Sequence, residues 1–147
     1  LDSICGKAAL IRRAMLVNAA LDSLGICKIP ALSLIGDFDL VNEAELGSAL
    51  TGNYIQARHL MEIGERTINL ERLLNQRLGA ATEDDRLPPM FSEPGYAGPD
   101  SLNPVKKLEK MIRLFYTEMG WDSQGRPTAD KLRQLDIEQP FKEADAA

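Results

Sequence analysis

The chain has 147 residues, of which 44% are apolar and 27% are charged, and its net charge is −5. This length predicts one domain that buries roughly two thirds of its unfolded surface, and the composition excludes a largely disordered chain. Acidic residues are interspersed with the basic ones, so nucleic acid is not an expected partner. The most apolar stretch, residues 8–21, is too short to predict a membrane span.

The two cysteines, Cys5 and Cys27, are too few for a secreted disulfide framework and favour a reducing, cytoplasmic compartment. The chain begins at Leu1, without a methionine or a recognisable targeting segment. We therefore expect it to be part of a longer protein.

The first two predicted helices lie in the N-terminal third of the chain. Apolar residues recur at helical spacing over residues 7–22, and Gly25 can supply the left-handed residue that ends a helix. A second helix is predicted from Asn42, which matches a capping box with Glu45, to Thr51.

The longest predicted helix covers about residues 56–78, with leucines and isoleucines such as Ile63 and Leu74 on its apolar face. Residues 80–104 are rich in proline and glycine and predict a long loop. Two further helices are predicted at 105–119 and 129–135, the last one capped by Thr128.

No segment alternates apolar and polar residues for long enough to predict a strand. The predicted fold is therefore all-α and multihelical, with four to five helices and a long Pro/Gly-rich loop. We expect one helical domain over residues 1–137, which includes the loop at 80–104, and a tail at 138–147.

Three residues that can carry chemistry lie close together where the first helix gives way to a loop. Asp22 is a carboxylate near a helix C-terminus, where the helix dipole disfavours it unless it binds a specific donor. Gly25 lets a ligand approach the backbone, and Cys27 can bind iron as a thiolate. Alone, this pattern is ambiguous, because a lone cysteine is more often a small buried residue and an iron–sulfur cluster needs four ligands.

The pattern Asp22-x-x-Gly25-x-Cys27 is similar to the D-x-x-G-L-C motif of the aldehyde:ferredoxin oxidoreductase family, with Ile26 where leucine is usual. Further segments resemble the family in the same order, and together they extend from Lys7 to about Ile137. These segments are Thr51-Gly52, Gly64-Glu65-Arg66, Asn69-Leu70-Glu71-Arg72, Asp85-Arg86-Leu87-Pro88, Gly120-Trp121-Asp122, Gly125-x-Pro127-Thr128 and Lys131-Leu132.

The resemblance implies a C-terminal helical domain of an enzyme in which two pterins hold tungsten, or molybdenum, beside a [4Fe–4S] cluster. It implies that three cluster cysteines lie upstream, in a C-x2-C-x3-C run, and that Cys27 is the fourth. It assigns Asp22 to a hydrogen bond with the amino-pyrimidine end of one pterin, and the backbone of Ile26 to a further contact. Both cofactors would be shared with the upstream region.

The expected function is oxidation of an aldehyde to a carboxylic acid by the complete enzyme, with electrons passing to ferredoxin or another iron–sulfur carrier. The segment alone is expected to be inactive and to hold no catalytic residue. Its expected partner is the rest of the parent oxidoreductase, and a homo-oligomer is compatible with the resemblance. Two rival functions are an aromatic acyl-CoA reductase-type subunit of the same family and a non-catalytic helical interaction module.

Other conspicuous residues are expected to be structural. Cys5 matches no ligand of the family, and His59 is expected to be a surface or partly buried packing residue. We expect the charged stretches 64–66 and 70–72 to form charge pairs within their helix, like those predicted for Glu62. Trp121 is predicted to pack the last two helices together.

Overall fold

The computed structural model describes residues 4–30, 39–92 and 105–137. The predicted tail at 138–147 and residues 93–104 of the predicted loop lie outside the described residues. The helices are α1 Lys7–Leu24, α2 Lys28–Pro30, α3 Val41–Thr51, α4 Ala57–Arg77, α5 Val105–Met119 and α6 Ala129–Gln134, with single-turn 3-10 helices at Thr82–Asp84 and Pro89–Ser92.

In the described part of the chain, every regular secondary-structure element is a helix. Its one recorded β-bridge is an isolated pair between Trp121 and Pro127. The all-α prediction is confirmed, and the longer helices begin and end within two residues of their predicted bounds. Nowhere in the described ranges is a helix both long enough and apolar enough to cross a membrane.

Helix α1 ends as its sequence predicts. Gly25 has a φ of 69°, and its N–H donates to the carbonyl of Asp22 at 3.1 Å. The N–H of Ile26 then donates to the carbonyl of Leu21 at 3.0 Å, so the chain turns sharply and its last carbonyls are satisfied.

Helix α3 begins differently from the prediction. Its first helical residue is Val41, whose N–H donates to the Asp39 carboxylate at 3.0 Å, and its N-cap is Leu40. The capping box predicted from Asn42 to Glu45 is therefore wrong, because Asn42 already lies inside the first turn. Leu40 is buried in the core, and Asp39 supplies the acceptor instead.

Helix α1 is the central element of the fold. One core cluster joins it to α3 and α4, and a second joins it to α5 and the segment that follows α5. The first cluster consists of Val17, Ala20, Leu21, Leu40, Ala44 and Leu60, and the second of Leu16, Tyr116, Met119 and Trp121.

Helix α4 buries only part of the face that its leucines and isoleucines indicate. Leu60 is fully buried in the α1–α3–α4 core. Ile63 and Leu74 are 36% and 43% exposed, whereas Gly64, Glu65 and Asn69 are buried. The buried side of α4 faces α1 and the segment that follows α5, and much of it is polar, so apolar periodicity could identify only part of it.

Candidate functional site

The residues singled out from the sequence lie together at the C-terminal end of α1. Asp22 is on the last turn, its side chain is 62% exposed, and its carboxylate is 2.7 Å from the Lys28 ammonium. Cys27 follows the cap residue Gly25, is exposed and is not part of a disulfide. The side chain of Ile26 is partly buried and packs against the α1–α3–α4 core.

This arrangement gives the turn a fixed backbone and two accessible functional groups. The Lys28 charge offsets the unfavourable position of a carboxylate at a helix C-terminus. The Cys27 thiol is open to a metal that approaches from outside the domain, which fits one ligand of a shared cluster. Among the described residues, no three acidic, histidine or cysteine side chains are grouped as a metal site, so the other ligands would have to come from elsewhere.

An open groove of about 390 Å³ runs between α1 and α4 beside Asp22. Three of its polar side chains donate a hydrogen bond within their own helices. The hydroxyls of Ser23 and Thr67 donate to carbonyls one turn earlier, at 2.7 and 2.9 Å, and the Asn18 amide does the same at 2.7 Å. Together with Asp22 and Glu71, they offer oxygen acceptors, so the groove suits a ligand edge that carries N–H donors.

Sequence reasoning did not anticipate a buried ionic cluster at the centre of the molecule. The Glu65 carboxylate on α4 lies 2.8 Å from Arg12 on α1 and 2.8 Å from Lys131 on α6. Burial raises the pKa of Glu65, but the hydrogen bonds from Lys131 and Arg12 and their charges outweigh it, and the pKa is lowered. Glu65 is therefore a structural carboxylate that joins three helices.

A second polar cluster fixes the start of the 80–104 loop. Arg72 on α4 binds both carboxylate oxygens of Asp85, at 2.9 and 2.6 Å, and also donates to the carbonyl of Gly125 at 2.8 Å. The Tyr116 hydroxyl donates to the same carboxylate. Burial raises the pKa of Tyr116 to about 12, together with this hydrogen bond and the Asp85 charge.

Trp121 connects α5 with α4 and α1, not chiefly with α6 as predicted. Its indole N–H donates to the Asn69 side chain at 2.8 Å, and its ring meets Phe115 edge-on at 5.7 Å. Leu16 packs in the same cluster, and the Arg72 guanidinium lies 5.0 Å from the ring centroid. Trp121 thus packs with residues of α1 and α5 and contacts two polar side chains of α4, Asn69 and Arg72.

These contacts explain the charged stretches of α4 without catalysis. The predicted pairing within the helix is correct for Glu62 and Arg66, whose charged atoms lie 3.3 Å apart. It is wrong for Glu65 and Arg72, whose partners come from other elements because both residues lie on the buried side. The available signal was the position of Glu65 beside the small residue Gly64, and of Arg72 one helical turn after Asn69. The sequence alone does not identify the partners of these charges.

The remaining candidates have local roles. His59 is partly buried and accepts the N–H of Gln56 at 3.2 Å through Nδ1, so it closes the start of α4. Its partial burial agrees with the prediction, whereas its hydrogen bond at the start of the helix was not predicted. Cys5 is exposed, just before α1 begins.

Comparison with known proteins places the chain in one family. A family model described as "Aldehyde ferredoxin oxidoreductase, domains 2 & 3" matches residues 1–137. The tungsten-containing aldehyde ferredoxin oxidoreductase of Pyrococcus furiosus is 34% identical over 125 residues, which are 82% of this chain and 20% of that protein. The protein of the same name from Thermococcus kodakarensis is 32% identical over 125 residues, 82% of this chain and 20% of the relative.

A relative with another name also matches. The "Aliphatic sulfonate oxidoreductase, WOR-like subunit" of Pyrococcus furiosus is 32% identical over 139 residues, which are 87% of this chain and 21% of that protein. No solved structure matches the chain significantly. The chain spans about a fifth of the length of these relatives. It belongs to the aldehyde ferredoxin oxidoreductase family, whose C-terminal helical fold it shares.

Proposed function

We propose that the chain is the C-terminal part of a tungsten-pterin oxidoreductase that oxidises aldehydes to carboxylic acids and passes the electrons through a [4Fe–4S] cluster to ferredoxin. The observation that carries this proposal is the turn at the end of α1, where Asp22 and the exposed Cys27 flank the Gly25 cap. The names of the tungsten-containing relatives support the metal and the substrate class. The cysteine usage favours a cytoplasmic location.

In this proposal the residues of the turn have separate roles. Cys27 supplies the fourth thiolate to the cluster. Asp22 accepts N–H bonds from the amino-pyrimidine edge of one pterin, and a charge-assisted bond of this kind is about twice as strong as a neutral one. Ile26 contributes its backbone, while its side chain holds the turn on the core.

The rest of the domain supports this turn. When bound, the metal-pterin centre supplies two-electron oxidation and the cluster carries electrons away. The segment holds no catalytic residue of its own and closes one side of a cofactor pocket. We propose that residues 1–137 act as one unit in this task, joined to the upstream parts of the same protein.

The first prediction concerns Cys27 in the full-length protein. Cys27→Ala removes one of four cluster ligands, so we expect iron content and cluster absorbance to fall and aldehyde-dependent reduction of ferredoxin to be lost. Cys5→Ala is the matched control, because Cys5 is the other exposed cysteine of the chain and should leave both properties unchanged. A Cys27→Ala protein with a full cluster and normal turnover would contradict the proposal.

A second substrate class is supported by the relative named as an aliphatic sulfonate oxidoreductase subunit. Assays of the metal-loaded protein with aldehydes and with aliphatic sulfonates separate these two classes, and metal analysis separates tungsten from molybdenum.

Turnover of an aromatic acyl-CoA thioester in the same assay would instead indicate an acyl-CoA reductase-type subunit. A C-x2-C-x3-C run in the sequence upstream of this chain would exclude a non-catalytic interaction module.

A further inference from the structure

We infer that Gly64 of α4 is a positioning residue, which sets where α1 presents Cys27 and Asp22 to the cofactors. This inference rests on the proposed function. Gly64 lies on the buried side of α4, and although the Gly64-Glu65-Arg66 segment resembles the family, no sequence pattern assigned Gly64 to the site.

The backbones of α1 and α4 touch at Gly64. A Cβ atom built on Gly64 would meet the carbonyl oxygen of Leu16 well inside van der Waals contact, and would lie 2.9 Å from the carbonyl carbon and 3.2 Å from Cα. All three atoms belong to the backbone, so no side-chain rotation can relieve the overlap. A methyl group at this position would have to move α1 away from α4 by about 1 Å.

Helix α1 transmits that movement to the turn. Leu16 and the last helical residue, Leu24, belong to one continuous helix, and eight residues of helix span about 12 Å. The turn beyond the helix is fixed to α1 by the hydrogen bond from Ile26 to Leu21. A shift at Leu16 therefore carries Asp22 and Cys27 with it.

Helix α4 contacts α1 on both sides of this crossing. Glu65 binds Arg12 one turn before Leu16, and Thr67 Oγ1 lies 3.4 Å from Ser23 Oγ beside the site. Leu60 packs in the core cluster that also holds Leu21. Gly64 lies between these contacts and brings the two backbones together without a side chain between them, so we infer that it sets the separation that the other contacts then hold.

The distance between α1 and α4 at Gly64 determines where the end of α1 lies relative to the rest of the cofactor site. The remaining cluster ligands and most of the pterin contacts come from other parts of the protein. Displacing α1 therefore changes the position of Cys27 and Asp22 relative to those groups without removing either side chain. The expected result is an altered cluster environment in a protein that still contains its cluster.

The test uses the full-length protein with Gly64→Ala, and Gly47→Ala as the matched control. Gly47 is also a buried helical glycine, but a Cβ there meets only the ends of the Ile55 and Leu24 side chains, at 3.4 and 3.9 Å. Thr67→Leu is a second variant, which places a larger side chain against Ser23 at the partly exposed edge of the groove beside Asp22, where folding should tolerate it. Thr67→Val is its control, because it removes the same hydroxyl acceptor without adding bulk. Circular dichroism establishes folding, and iron content, the electron paramagnetic resonance spectrum and the reduction potential report on the cluster.

We expect Gly64→Ala to keep its iron but to show a changed spectrum and a shifted reduction potential, with kcat for aldehyde oxidation reduced about 10- to 100-fold. If Gly64→Ala does not fold, the same changes in Thr67→Leu support the inference, provided that Thr67→Val, which lacks the same hydroxyl, does not show them. Gly47→Ala should match the unmodified protein in every measurement.

Folded Gly64→Ala and Thr67→Leu proteins with an unchanged spectrum and potential would overturn the inference, and so would equal changes in Gly47→Ala. A Cys27→Ala protein that retains its cluster would instead overturn the proposed function. The loss of the cluster in Cys27→Ala, combined with normal properties in the Gly64 and Thr67 variants, would leave the proposed function standing and reject only the positioning role.

Discussion

Asp85 shows how a single carboxylate can hold a loop to a helix. It accepts two N–H groups from Arg72 and the hydroxyl of Tyr116. Burial raises the pKa of Asp85, but the hydrogen bonds from Arg72 and Tyr116 and the Arg72 charge outweigh it, so the pKa lies below its usual value. The stabilisation is therefore present above about pH 4, near the pKa of an unfolded aspartate, and is lost as the pH falls through the folded pKa.

We predict that Asp85→Asn lowers the free energy of unfolding by about 2 kcal/mol at neutral pH, because it leaves the Arg72 charge without its partner. The difference from the unmodified protein should be smaller at an acidic pH below about 4, because the stabilisation from the Asp85 charge is lost as the pH falls through the lowered folded pKa. Urea midpoints at the two pH values measure both effects. Glu83→Gln, at an exposed neighbouring position, is the control and should have little effect. A deficit that does not change with pH would show that the Asp85 charge is unimportant.

Among the helices, the end of α1 has the most direct link to the proposed chemistry. Gly25 adopts a left-handed conformation, and no atom lies within 4 Å of a Cβ built there, so a side chain would be opposed by the backbone and not by crowding. Such a conformation costs a non-glycine residue about 1–2 kcal/mol. The geometry of the turn that carries Cys27 thus depends on the absence of a side chain at position 25.

We predict that Gly25→Ala destabilises the protein by about 1 kcal/mol and lowers the iron content of the cluster, because the strained cap can relax only by redirecting the turn. Thermal melting and iron analysis of the full-length protein measure the two effects. Gly47→Ala provides the comparison, since Gly47 lies inside a helix where alanine is preferred. Unchanged stability and iron content in Gly25→Ala would reject this account of the cap.

The helices and their ends could largely be predicted because they depend on neighbouring residues. Periodic apolar residues correctly predicted the bounds of α5, and Gly25 correctly predicted where α1 ends. Thr128 accepts an N–H from Lys131 at the start of α6, as predicted. Two local predictions failed where tertiary contacts intervene. Helix α3 starts before Asn42, where Leu40 is buried in the core, and polar partners from α1 and α6 bury Glu65 on a part of α4 that apolar periodicity did not indicate.

At the scale of the whole molecule, Glu65 links segments that are far apart in the chain. Arg12 and Lys131 bind it from opposite ends of the sequence, and Asn69, whose side chain receives the Trp121 indole N–H, bonds to the Glu65 carbonyl. Sequence patterns predict pairs within one helix, but not pairs like these, which depend on how the helices pack. The candidate site itself was located only because its short motif resembles a family.

We predict that Glu65→Gln lowers the free energy of unfolding by about 2–4 kcal/mol, because two largely buried cations lose their common counter-charge. Glu62→Gln is the matched control on the same helix. Its carboxylate pairs with Arg66 at the surface, and such pairs contribute about 0.5 kcal/mol or less. Urea unfolding of the intact protein compares the two variants. Equal losses would show that Glu65 acts as an ordinary surface charge.

The Arg12–Glu65–Lys131 cluster also gives the domain a particular response to heat. Hydration of charged groups becomes less favourable as temperature rises, so keeping these three groups out of water becomes less costly, while the gain from apolar burial levels off. The cluster therefore contributes a larger fraction of the free energy of unfolding as the temperature rises. Since it ties α1 to α4 and α6, the end of α1 that carries Cys27 should keep its place under conditions in which a purely apolar contact would be losing its advantage.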